Sequence, residues 1–100
     1  MAIKAPFQGN RGENQVVTPN GTSASVPIAA SNKSVRLVNV GANIVHVRIG
    51  PGAQTATTAD TPVRANSEII VSKGDGDNVA AYISASGTTL HIQAGEGGVL

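Results

Sequence analysis

One hundred residues make a single domain with one modest core, because a chain of this size buries only about 65% of the surface its unfolded form exposes. Seven lysines and arginines against six acids leave a net charge of +1, and the cations are scattered from Lys4 to Lys73. With one Phe and one Tyr besides, this excludes the basic stripe and stacking platform of a nucleic-acid binder. The absence of cysteine excludes disulfides and thiolate chemistry, and no apolar run approaches the roughly 20 residues of a membrane-spanning helix.

The opening "MAIKAPFQGNRGENQ" has no apolar h-region, so no secretory signal is read there. Residues 1–15 are polar and aperiodic, and they read as a flexible N-terminal arm preceding a sandwich domain at 16–100. Phe7 stands alone in this arm. It either folds back on the domain or anchors in a partner, with Lys4 and Arg11 as cationic companions, since arms that order on binding are common devices. These three residues are the candidate partner contacts.

Strands follow. "QVVT" stops at the turn signal Pro19-Asn20-Gly21. "TSASVPIA" alternates loosely, and Pro27 assigns it to a sheet edge. "SVRLVNV" and "IVHVRIG" flank Gly41-Ala42-Asn43 and read as a hairpin, with Val45, Val47 and Ile49 inward and His46 and Arg48 outward. "PGAQTATTADTPV" is a long, small-residue connection that either crosses between sheets or stands exposed. "SEIIV" is the next strand and "KGDGDN" a turn. "VAAYISA" places Val79, Ala81 and Ile83 on one face and Tyr82 on the other. Ser86-Gly87 then closes a second hairpin onto "TTLHIQA", with Leu90 and Ile92 inward and His91 and Gln93 outward. No stretch carries helical periodicity. Short strands about 8 to 12 residues apart predict an all-β fold, an antiparallel β-sandwich of jelly-roll-like or Greek-key type. The Val, Ile and Ala content suits the gap of about 10 Å between packed sheets.

The candidate chemistry is sparse. "GDGDN" spaces Asp75 and Asp77 like the start of a calcium loop, but it lacks the further alternating ligands and the distal Glu, so it reads as a turn. His46 and His91 would need to converge to hold a metal, and zinc wants three or four ligands. The two close histidines and a Glu of cupin-type jelly-roll enzymes are not seen. Neither a G-x-S-x-G elbow nor a G-x-x-x-x-G-K-[ST] loop occurs. The expectation is a protein that is not an enzyme and uses no cofactor or metal.

The strings "SVRLVNVGANIVHVRIG", "ATTADTPV" and "NVAAYISASGTTLHIQAGEGG" are similar to a group of short virion proteins from tailed bacteriophages, over about residues 34–98. That group shows a V-R-L-V-N-x-G strand, a T-P-V step, an A-S-G-T turn and a G-E-G tail. The resemblance implies a non-enzymatic structural protein of the virion, made in the host cytoplasm. A head decoration (cement) protein on the major capsid protein is the first expectation. A tail, neck or fibre-associated component is the second, and a carbohydrate- or receptor-binding β module the third. A virion role implies a homo-oligomer, dimer or trimer, with no nucleic acid or membrane as partner.

Overall fold

The structure is a computed structural model that describes residues 6–97. Nine strands are formed: β1 (Gln8–Gly9), β2 (Gln15–Val17), β3 (Ala24–Pro27), β4 (Ser34–Asn39), β5 (Val45–Gly50), β6 (Thr61–Val63), β7 (Ser67–Ser72), β8 (Val79–Ile83) and β9 (Leu90–Glu96). They build two antiparallel sheets, and no helix occurs among the described residues. Sheet A runs β2-β9-β4-β7, with β1 also on β9, beyond β2. Sheet B runs β3-β8-β5-β6. The chain changes sheet at every connection except β1–β2 and β5–β6. The interleaving of β2-β9-β4-β7 with β3-β8-β5-β6 is that of a jelly roll.

The core is the inner face of both sheets. Val35, Leu37, Leu90, Ile92 and Ala94 come from sheet A, and Val45, Val47, Val63, Ala80 and Tyr82 from sheet B. The burial alternation expected for β5 and β9 is present, with Val47 and Leu90 buried and His46 and His91 on outer faces. Pro27 does lie on an edge strand.

Both expected hairpins are instead crossings. β4 and β5 lie in different sheets, as do β8 and β9. Each member of such a pair has one apolar face, and the two faces meet across the sandwich instead of lying side by side. The long connection stays within sheet B, and its "TPV" forms β6 against β5. In β8 the expected alternation gains its direction: Tyr82 points into the core, opposite Val47 on one side and Ala24 on the other. All five residues of β8 carry apolar bodies, so no polar residue marks its wet face. Ala81 points outward yet is fully covered, lying between Ser25 and Arg48.

Part of the expected arm belongs to sheet A. Gln8 pairs with Glu96 and Gly9 with Gly95. The Asn10 N–H donates to Ala94 O at 2.9 Å, and Gln93 Nε2 returns a bond to Asn10 O at 3.0 Å. A two-residue strand has no legible alternation. It forms because β9 runs on through Gly95 and Glu96, which offer it backbone partners.

Candidate interaction face and the polar junction

Three of the four resemblance motifs meet at one buried point. Asn39 ends β4 with its side chain fully buried. Its Nδ2 donates to Asn43 O at 2.7 Å and to Val63 O at 3.1 Å. Its Oδ1 accepts from the Gly41 N–H at 3.1 Å and from Thr88 Oγ1 at 2.8 Å. Two donors and two acceptor positions are all used, which is the full capacity of an amide side chain. V-R-L-V-N-x-G supplies Asn39 and Gly41, T-P-V supplies Val63, and A-S-G-T supplies Thr88. Gly41 must lack a side chain, because a Cβ there would overlap Thr88 Oγ1. The motifs therefore encode the crossing from sheet A to sheet B, a structural junction closed to ligands. Ser84 braces the neighbouring crossing, its hydroxyl reaching Ile44 O at 2.8 Å and Ser86 O at 2.5 Å.

The outer face of sheet A carries Val16 and Val40, two of the three exposed large apolar residues among those described; the third, Ile44, lies between β4 and β5. Cross-strand pairing lines up Val16, His91, Val38 and Glu68 over β2, β9, β4 and β7. Gln93, Arg36 and Ile70 form the next row. Val16 is 58% exposed and Val40, just past β4, 51%. Asn14, Arg36, Val38, Val40, His91 and Gln93 line a shallow depression of about 370 Å3 here. Asn14 Nδ2 donates to His91 Nδ1 at 3.0 Å, and Arg36 Nε is paired with Glu68. Val38 and Val40 were visible in "SVRLVNV", but only the register places Val16 on the same face, across His91 from Val38. A second cleft of about 350 Å3 opens between β2 and β3, lined by residues such as Gln15, Pro27 and Ile28.

The sequence-predicted contacts are dispersed. Phe7 is half-buried, and its ring stacks over Gly95, where a Cβ would stand 2.7 Å from the ring carbon Cζ. The ring has thus folded back onto its own sheet. Arg11 is exposed in the turn between β1 and β2, and Lys4 lies outside the described residues. The two histidines occupy opposite outer faces of the sandwich, His46 on sheet B and His91 on sheet A. His46 Nδ1 lies 3.2 Å from Asp60 O.

In "KGDGDN" both acids are engaged by protein groups. Asp77 accepts from the Gly74 N–H at 2.9 Å, closing the turn, and Asp75 pairs with Lys33 at 2.5 Å. Lys73 is buried, and its Nζ donates to Ala30 O at 2.9 Å and Asp77 O at 2.8 Å, tying two loops together. The hydrogen bond and charge of Lys33 hold the Asp75 carboxyl below its usual range. Glu96 is lowered by hydrogen bonds from the Asn32 side chain and the Lys33 N–H. Asp60 is lowered first by the Thr57 N–H and then, against a burial penalty, by Arg48. Among the described residues no group of three His, Cys, Asp or Glu side chains is placed to share a metal.

No protein-family model matches the chain, and no curated protein matches it. Two solved structures are similar in fold. One is the crystal structure of PirA, with a TM-score of 0.57 and 12% identity over 85% of this chain and 95% of that one. The other is hydroquinone 1,2-dioxygenase from Sphingomonas sp. TTNP3 with 4-hydroxybenzoate bound, with a TM-score of 0.51 and 12% identity. That match covers 91% of this chain but 64% of the dioxygenase chain. At such identity both likenesses speak for the fold alone.

Proposed function

We propose that the chain is a non-enzymatic structural protein of a tailed-bacteriophage virion, a head decoration protein that lies on the capsid through the outer face of sheet A and stabilises the shell. The observation that carries this reading is the group of valines, Val16 and Val40 exposed and Val38 half-buried, on the outer face of sheet A. Exposed apolar residues on monomers are normally scattered singly, and a contiguous group rimmed by polar side chains marks a protein contact. Here His91 lies between Val16 and Val38, and the other polar neighbours are Asn14, Gln93 and the Arg36–Glu68 pair. The virion class comes from the sequence resemblance, and the jelly roll is an architecture that capsid proteins use. Motifs that build a fold junction suit a structural protein.

The test is co-sedimentation of the purified protein with heads of the encoding phage prepared without it. The protein should pellet with heads saturably. Joint Val16→Asp and Val38→Asp substitution should weaken binding at least about tenfold without lowering the melting temperature much. Protein that stays in the supernatant overturns the decoration reading. Pelleting with tails alone would move the protein to the tail. Unchanged binding by the double variant would move the contact to another face.

A further inference from the structure

We propose that the free edge of sheet A at β7 is where two copies of this chain pair, strand to strand, about a twofold axis. The sheet edges are unlike one another. Sheet B ends on β3 and β6, which carry Pro27 and Pro62 and so lack an N–H at those positions. Sheet A ends on one side at β1 and β2, two and three residues long. Its other end is β7, six residues without proline, paired along its whole length with β4 on one side. Among the described residues, no turn or loop hydrogen bond uses the backbone of residues 67–72. Alternate N–H and C=O groups of β7 therefore face solvent. Proteins usually guard such an edge with proline, lysine, a bulge or brevity. β7 has none of these, and its one charge, Glu68, is on the outer face and held by Arg36.

The occupant follows from the strand's own sequence. An antiparallel copy related by an axis normal to the sheet through Ile70 sets Ile70 against Ile70 of the partner subunit. Ile69 then meets Val71 of the partner subunit, and Glu68 meets Ser72 of the partner subunit. Opposed residues share a face: Ile69 and Val71 belong to the inner face, packed against the core, and Ile70 to the outer. The inner layers of the two copies therefore continue into each other, and apolar β-branched pairs of this kind stabilise a sheet. A slip of one residue would oppose inner and outer side chains. A slip that centres the axis on Glu68 would set like charges together. At the same edge the sandwich opens in a cleft of about 150 Å3 between β6 and β7, lined by Leu37, Val47, Ile49 and Val71, which a second copy would cover. Strand addition at an open edge is a general mode of association, and a closed twofold needs only one self-complementary patch.

With this axis the outer faces of both sheets A point the same way. The dimer would present two copies of the Val16–Val38 row to one surface and gain avidity. That consequence rests on the proposed decoration role, whereas the pairing itself does not.

The chain has no cysteine, so one introduced thiol reports on one position. Ile70→Cys under mild oxidation should give a covalent dimer, while Val16→Cys, exposed on β2, should give little. Light scattering of the unmodified protein should show a dimer at micromolar concentration. Ile70→Lys should weaken dimerisation at least about tenfold with the sheet signature in circular dichroism retained. If that variant fails to fold, the Ile70→Cys cross-link still decides. A monomer up to millimolar concentration overturns the proposal, as does a dimer that Ile70→Lys leaves intact and Ile70→Cys does not cross-link. Either result leaves head binding to be judged by its own assay.

Discussion

Asn39 shows how much one buried amide can fix. Truncation to Ala would strand Asn43 O, Val63 O, the Gly41 N–H and the Thr88 hydroxyl around a cavity. Each buried group left unpaired costs about 1–3 kcal/mol, and some will recover water. We expect Asn39→Ala to lower stability by roughly 2–4 kcal/mol in urea titration, and Thr88→Val by less. A loss below about 0.5 kcal/mol, the range of an ordinary surface change, would contradict the junction. Tyr82 offers a spectroscopic check on β8. It is the only tyrosine, and no tryptophan overlaps it. Burial raises its phenol pKa above the ordinary 10. The fold therefore prefers the protonated ring. Its contribution is complete below about pH 10 and is lost as pH rises through the raised value. Tyrosinate absorbance should appear later in the folded protein than in urea. Titration at the free-tyrosine value would place the ring on the outer face.

Strands were legible where alternation had contrast, and their partners were not. "IVHVRIG" and "TTLHIQA" set Val and Leu against His, Arg and Gln, so their inner faces could be read. In "VAAYI" every residue is apolar in body, so alternation carried no sign. The two crossings were misread because a short loop between two half-apolar strands suits a hairpin or a crossing equally. The choice lies in Asn39 and Thr88, 49 residues apart, whose bond no local pattern contains. The exposed valines failed to register for the same reason, since Val16 and Val38 come to flank His91 only through the pairing of β2 and β4 with β9. β1 was hidden by its length. Its test is Phe7→Ala, which should cost about 1 kcal/mol for a half-buried ring. Gly95→Ala should cost more, because Gln8 O and the Phe7 ring occupy the space of its Cβ. Unchanged denaturation curves for both would return residues 6–10 to a free arm.

At the scale of the molecule, carboxylates held by hydrogen bonds and ion pairs set an acid limit to the fold. Asp60, Asp75 and Glu96 are all held below their ordinary values. Their stabilisation is therefore complete above about pH 4 and fades as pH falls through the lowered values. Solvent screens Asp75 and Glu96, so the effect is small per group. The melting temperature should be level near neutrality and fall below about pH 4; a rise in acid would contradict the assigned pairs. The central claim is that a jelly roll with exposed valines on the outer face of sheet A decorates a capsid. Cryo-electron microscopy of heads re-decorated with the purified protein tests it most directly. The account predicts density for the sandwich on the head lattice, with Val16, Val38 and Val40 turned to the shell. Bare heads, or a bound sandwich whose sheet A outer face looks into solvent, would contradict it.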